Sequence, residues 1–307
     1  MRASGVLALV AGVCAFFVWS APASAEPSDW VVRGEALARR IQAGNLIVTA
    51  STRAERQAAA GRVHGQERLQ VLYDIAADDY IASDADNAAT SLAALEAEAT
   101  AQSSDRFNAM ADLLHAYAPA LNGDYVATRR NLAHELQGVS DPYVRAAGER
   151  LLAYTLTDLG LFGNSLEAAR AGLVHLPDDA STRTLRSGLH DAMAYNAVRI
   201  GDYDSGVQHL QRTVELDTAS GKPIDGVVIV NNIASMMAQA GAIEEAQRLV
   251  TIHRGLANQT GMPVMQFFAS LLCAKVHFLA HDYATALQCA ETGSRLSDAP
   301  PEYMTRL

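Results

Sequence analysis

A surplus of positive charge is what this chain most clearly lacks. It has 24 Lys and Arg against 34 Asp and Glu, a formal net charge of −10, and Lys222 and Lys275 are its only lysines. Nucleic acid and anionic lipid surfaces both require a net or clustered positive face, so neither is expected as a partner. The scarcity of lysine beside abundant arginine and alanine reads as genomic base composition rather than function. Catalytic signatures are missing as well. There is no H-E-x-x-H, no phosphate-cradling glycine loop ending in Lys-Ser or Lys-Thr, and no G-x-S-x-G. The acidic run Asp84-Ala85-Asp86-Asn87 lacks the central glycine of a calcium loop, and Ala88 stands where such a loop needs another oxygen. Asp78-Asp79, Glu149-Arg150 and Glu244-Glu245 read as solvated helix surface rather than paired catalytic groups. No cofactor, metal ion or catalytic residue is therefore expected, and Gly221-Lys222 reads only as a turn.

Long apolar runs are confined to the N-terminus. Met1 to Ser4 carry one positive charge at Arg2, Gly5 to Trp19 are almost wholly apolar, and Ala23-Ser24-Ala25 supplies the small residues of a cleavage site. This pattern predicts a signal peptide over residues 1–25. The apolar run falls short of the roughly 18 residues of a spanning helix, which disfavours an uncleaved anchor. The mature chain is accordingly expected to be exported to the periplasm. Cys14 belongs to the leader, leaving Cys273 and Cys289, eight residues before and eight after a turn at His281. In an antiparallel hairpin they would sit at similar height on facing helices. Two readings stand: a disulfide, if their Cα atoms approach within about 7 Å, or two small buried thiols filling helix contacts.

Trp30 to Ala43 reads as an amphipathic helix, with Val31, Leu37, Ala38 and Ile41 on its apolar face and Gly44-Asn45 at its end. Leu46 to Gly65 is the least regular stretch, although Thr52-Arg53-Ala54-Glu55 matches a capping box and predicts a short helix through Ala60. Residues 26–65 are expected to cap an array that follows. From Gln66 onward, a turn residue recurs at Ser83, Gly123, Gly160, Gly201, Gly241 and His281, each preceded seven positions earlier by alanine: Ala76, Ala116, Ala153, Ala194, Ala234 and Ala274. Five residues after each turn stands a small side chain, Ala88, Thr128, Ser165, Gly206, Ala246 or Ala286. Paired small residues let the two helices of a hairpin approach closely. In the clearest cases the turn reads Gly-Asp-Tyr, at Gly123-Asp124-Tyr125 and Gly201-Asp202-Tyr203, with His281-Asp282-Tyr283 as a variant. Glycine there accepts the left-handed conformation and aspartate caps the next helix. Asp141-Pro142, Gly221-Lys222-Pro223, Gly261-Met262-Pro263 and Ala299-Pro300-Pro301 punctuate the boundaries. The expected fold is all-α, an α-solenoid of stacked antiparallel hairpins with a period of about 40 residues over 66–307. The closing Glu302 to Leu307 reads as the opening of a further first helix, so the array is expected to be truncated or completed by another element.

These residues resemble the tetratricopeptide repeat (TPR) family: a small residue late in the first helix, a Gly-Asp-Tyr-like turn, a small residue early in the second, and a proline such as Pro177 where that helix ends. The family's tryptophan is missing and the period exceeds its usual 34 or so residues. The resemblance implies that first helices line a concave groove, with positions six and ten before each turn facing into it. Those positions give the row Tyr117, Tyr154, Tyr195, Ser235 and Lys275, and beside it Tyr73, Arg150, Asp191 and Asn231. Tyrosines with interleaved polar groups suit a peptide or small ligand; alternatively, the rings pack between hairpins. A cysteine and two histidines spaced by four, Cys273, His277 and His281 with Asp282 beside them, have metal-ligand spacing, but read better as two core positions and a turn.

The function expected is a non-enzymatic, exported module that binds a peptide, protein or small ligand. The array also resembles periplasmic sensor regions of GGDEF (diguanylate cyclase) or histidine-kinase proteins. In such proteins ligand binding changes curvature or homodimerisation, and the membrane enters only through a downstream segment. A freestanding periplasmic scaffold for envelope assembly is the alternative. An enzyme built on Arg150, Asp191 and a tyrosine lacks a nucleophile-and-base pair.

Overall fold

The structure, a computed structural model, describes residues 28–82 and 84–296. Among these residues it contains fourteen α-helices and no strand. They are α1 (Asp29–Ala43), α2 (Ala50–Ala60), α3 (Gly65–Ile81), α4 (Ala85–Ala101), α5 (Asp105–Tyr117), α6 (Tyr125–Glu135), α7 (Pro142–Asp158), α8 (Phe162–His175), α9 (Arg183–Arg199), α10 (Tyr203–Ser220), α11 (Gly226–Gln239), α12 (Ile243–Gln259), α13 (Pro263–Leu279) and α14 (Tyr283–Ser294). The signal-peptide segment with Cys14 and its cleavage site, the turn residue Ser83, the Ala299-Pro300-Pro301 break and the closing Glu302 to Leu307 lie outside the described residues.

Consecutive helices pair as α3–α4, α5–α6, α7–α8, α9–α10, α11–α12 and α13–α14. The all-α array of stacked antiparallel hairpins is therefore the fold, and its local causes are visible. Gly123, Gly160, Gly201 and Gly241 take φ between +73° and +84°, and His281 takes the same left-handed region at +59°. A helix ends there because a left-handed residue turns its last amide hydrogens back onto open carbonyls. Asp124, Asp202 and Asp282 then cap the next helix, accepting from the backbone N–H of Ala127, Ser205 and Thr285. All six alanines before the turns are buried, as are all six small residues after them. Each pair thus removes side-chain bulk where two helix axes come nearest.

The capping-box reading of Thr52 is corrected. The helix begins at Ala50, so Thr52 lies inside its first turn, buried, rather than at its cap. Ala50 prolongs a helix more readily than it ends one.

The hairpins form two compact units. One comprises the described residues up to Ala50 together with those from Pro223 onward; the other is Ser51–Lys222. In the first unit, α1 packs its buried face of Val31, Leu37, Ala38 and Ile41 against α11 and α12, far along the chain. Arg248 of α12 reaches Glu35 of α1, donating from Nε at 2.9 Å. Gly226, at the start of α11, lies so close to α1 and its exit that a Cβ there would stand 2.1 Å from the Leu46 carbonyl oxygen. His253 on α12 is wholly buried with neither ring nitrogen hydrogen-bonded, and burial pushes its pKa down to about 4.

Cys273 and Cys289 form a disulfide between α13 and α14, with Cα atoms 5.9 Å apart. The buried-thiol reading gives way because the residues face each other across the hairpin at bonding distance. Closing a loop of this length restricts the unfolded chain by about 3 kcal/mol. Replacing both cysteines by alanine should therefore speed amide hydrogen exchange in α14 by roughly a hundredfold. Unchanged protection of α14 would show that packing alone holds the hairpin.

Candidate functional site

The Ser51–Lys222 unit carries a buried cluster of charged and phenolic side chains, assembled from segments distant in sequence. On α3, Gln70, Asp74 and Asp78 recur every four residues and so share one helix face, beside Tyr73. On α7, Tyr143, Arg150 and Tyr154 stand seven and four apart, again on one side. Successive first helices α3, α5, α7 and α9 pack in a row. Tyr143 and Arg150 nonetheless reach past α5: Tyr143 Oη donates to Gln70 Oε1 at 3.0 Å, and Arg150 Nη2 donates to Asp78 Oδ1 at 3.4 Å. Gln70 in turn donates from Nε2 to Asp74 Oδ1 at 3.0 Å. From α9, Asp191 accepts the Tyr154 hydroxyl at 2.9 Å.

Asp78 is the hub. Arg56 of α2 lies 3.0 Å from it, Arg150 3.4 Å, and the ammonium of Lys222, which follows the C-cap glycine of α10, 3.8 Å. Burial alone would raise its pKa, but Lys222, Arg56 and Arg150 together hold it down to about 2. The same three cations pull on Asp74 without overcoming its burial. Burial pushes its carboxyl up to about 6, against the pull of Lys222 and with the charge of Asp78 adding to the rise. Burial likewise raises Asp191, despite its hydrogen bond from Tyr154, and Asp217 of α10, despite Lys222. Tyr73, Tyr143 and Tyr154 are all shifted up, chiefly by burial, so each phenol is neutral and remains a donor.

Arg150 is only 4% exposed and its guanidinium lies against Gly188 of α9, where a Cβ would come within 2.2 Å of Nε. Its charged plane also stands over the Tyr154 ring, 5.8 Å from the centroid. Burying a guanidinium is costly unless carboxylates and hydrogen bonds surround it, and here Asp78 is its ion-pair partner. Three buried polar atoms of the cluster have no hydrogen-bond partner among the described residues: the Tyr73 hydroxyl, Arg150 Nε and Asp217 Oδ1.

The structure brings Tyr73, Arg150, Tyr154 and Asp191 together, and it separates the rest of the row predicted from the sequence. Tyr117 is a core residue, 3% exposed, with its ring edge-on to Tyr80 at 6.4 Å. Tyr195 lies at the surface, hydrogen-bonded to Arg199, whose guanidinium covers its ring. Asn231, Ser235 and Lys275 belong to the other unit. Three expectations are corrected. Asp78-Asp79 is not solvated surface: Asp78 holds Arg56, Arg150 and Lys222, and Asp79, 6% exposed, accepts the Ser91 hydroxyl from α4. Arg150, likewise read within a solvated pair, is buried, and Gly221-Lys222 is more than a turn. The four-residue recurrence of Gln70, Asp74 and Asp78 on a helix otherwise rich in buried residues was the available signal for a polar inner face.

No protein-family model matches the sequence, and no curated protein matches it. Among solved structures the chain is similar to one titled "Crystal Structure of the Apo Form of RapI", at 11% sequence identity and a TM-score of 0.49, over 88% of this chain and 77% of that chain.

The remaining candidates do not assemble. Cys273 is in the disulfide, His277 Nδ1 pairs with Asp282 at 3.1 Å, and His281 Nδ1 with the Tyr283 hydroxyl at 3.0 Å. Among the described residues, no group of three His, Cys, Asp or Glu side chains is placed to hold a metal ion. Asp84 is an N-cap, accepting from Asn87 N at 3.2 Å. His190 of α9 and His209 of α10 face each other with Nδ1 atoms 3.0 Å apart. Burial pushes the first down to about 4 and lowers the second, so one neutral ring donates to the other.

Proposed function

We propose that this chain is an exported, non-enzymatic binding module whose ligand or partner is recognised at the charged, tyrosine-lined cluster of the Ser51–Lys222 unit. The observation that carries this reading is the convergence of Asp74, Asp78, Asp191, Arg56, Arg150 and Lys222 with neutral tyrosines on first helices. A packed solenoid needs no such cluster for stability, since replacing buried ion pairs by apolar side chains is often neutral or stabilising. Its charged groups are engaged with one another, an arrangement suited to recognition rather than to bond-breaking. The leader-like N-terminus and the Cys273–Cys289 disulfide support an oxidising, periplasmic setting.

Affinity capture from envelope extract tests the reading, with the mature chain as bait beside Tyr154→Phe and Arg56→Gln. Both variants keep the packing, since the phenyl ring is retained and the Arg56 side chain is 26% exposed. Captured material should fall severalfold with each, at a temperature where circular dichroism shows all three baits folded. Equal capture by all three baits would remove the cluster from the function, and turnover of any captured compound would argue for an enzyme.

Within this reading, the chain is the sensor part of a signalling protein, such as a diguanylate cyclase. The gene beyond Leu307 distinguishes it from a scaffold: a spanning segment and an output domain support the sensor, and a stop codon the scaffold.

A further inference from the structure

A histidine stands at the centre of an apolar helix face in the first unit. On α12, Leu249, Val250, Leu256 and Ala257 are buried, and His253 lies three or four residues from each of them, where a leucine would continue the stripe. This helix packs against α1, α11 and α13. His253 is 0% exposed, and among the described residues neither Nδ1 nor Nε2 has a hydrogen-bond partner. A neutral imidazole so placed already forgoes one donor and one acceptor bond. Its protonated form would hold two N–H donors and a full charge with nothing to receive them. No charged group faces the ring from any helix packed against it. The sequence of α11 has no titratable side chain. Glu35 of α1 is engaged by Arg39 and Arg248, and His277 of α13 by Asp282. Glu244, Arg248 and Arg254 of α12 itself are exposed. Burial is the whole cause of the fall in the His253 pKa to about 4.

We infer that His253 is an acid-sensitive release for the first unit: its ring accepts a proton only when the packing of α12 against α1, α11 and α13 opens, so mild acid loosens this unit ahead of Ser51–Lys222. The open state then binds one proton more than the closed state. An imidazole in water takes up that proton near its ordinary 6.5 and the buried one only near 4. Closure is therefore fully favoured above 6.5, weakens as the pH falls through the interval, and has lost about 300-fold once the pH is below 4. Other shifted carboxyls of the same unit act in stronger acid. Glu35 is held below its ordinary 4.5 by hydrogen bonds from Arg248 and Arg39, and Asp282 below 3.8 by its contacts with Thr285, so the stability each contributes persists until the pH falls below those values. In the Ser51–Lys222 unit the shifts oppose one another. His190, also near 4, loses stability over the same interval, but Asp74, raised to about 6, is protonated more readily in the folded chain and adds stability as the pH falls.

Amide hydrogen exchange of the oxidised mature chain, corrected for the intrinsic pH dependence of exchange, reads the two units separately. From about pH 7 to about pH 5, the best-protected amides of α11, α12 and α13 should lose protection about twentyfold, and those of α7 and α9 far less. Two variants separate charge from packing. His253→Gln keeps a buried polar side chain that does not titrate, and His253→Leu completes the apolar stripe. In both, protection of α11 to α13 should be level over that range. A second measurement follows the ring itself: with carbon-13 at histidine Cε1, and the His253 signal identified by its loss in either variant, the ring should stay neutral at about pH 5 in the closed protein. Three results would overturn the inference: a wild-type first unit that keeps its protection at that pH, variants that lose protection as the wild type does, or a His253 signal that titrates near the ordinary histidine value while the amides stay protected.

Discussion

Asp78→Asn should unfold the Ser51–Lys222 unit more easily by about 3 kcal/mol at neutral pH, the usual loss when one partner of a buried ion pair is removed. The substitution leaves shape almost unchanged, so what it takes away is charge. Arg150, 4% exposed and wedged against Gly188, would keep its positive charge with no ion-pair partner, beside Arg56 and Lys222, two further cations freed from the same oxygens. The pH dependence follows from the sign of the shift. A carboxyl held at about 2 in the folded chain, below its ordinary value of 3.8, contributes stability that is complete above about 4 and is lost as the pH falls through 2. Wild type and variant should therefore differ most in melting temperature above pH 4 and converge in stronger acid. A difference that persists undiminished at pH 2 would mean that the amide disturbs packing and that the charge of Asp78 is immaterial.

Gly226→Ala tests the first unit. Helix propensity alone predicts a gain, since alanine is favoured over glycine by roughly 1 kcal/mol inside a helix. Packing predicts the reverse. The added Cβ would stand 2.1 Å from the Leu46 carbonyl oxygen and 2.3 Å from Ile41 Cγ2. A backbone oxygen cannot swing aside as a long side chain can, so α1 or its exit must shift, and overpacking of this kind costs about 1–3 kcal/mol. The expected result is a lower melting temperature for this unit, with amide exchange in α1 accelerated and exchange in the Ser51–Lys222 unit unchanged. A stabilised protein would show that α1 does not bear on Gly226.

The hairpin turns were readable from sequence because each is decided within a dozen residues. A glycine at the left-handed position, an aspartate one residue on and alanines at matched distances suffice, since the groups they satisfy are their own helix ends. His281 shows how far the rule extends: without glycine, the register alone places it at φ +59°. The disulfide was readable as one of two readings, because height on facing helices follows from counting residues from the turn, whereas the approach of 5.9 Å depends on how tightly α13 and α14 pack.

The cluster was readable only in part. Counting back from the turns found Tyr73, Arg150, Tyr154 and Asp191, of which the structure ties Arg150 to Asp78 and Asp191 to the Tyr154 hydroxyl. The same counting also offered Tyr117 and Tyr195, one of which fills the core while the other lies at the surface. It passed over Asp74, Asp78, Asp217, Arg56 and Lys222, because a charge pattern on one helix reads as solvated until its neighbours are known. The docking of α1 against α11 and α12 likewise has no local signature.

Sequence alone determined where the paired helices turn back on one another, for those choices are made by side chains acting on the backbone a few residues away. Tertiary structure decided which charges meet. Electrostatic energy depends on the separation and burial of groups that the chain brings together only when its hairpins stack, so Lys222 becomes the partner of Asp78 through packing and through nothing written beside either residue.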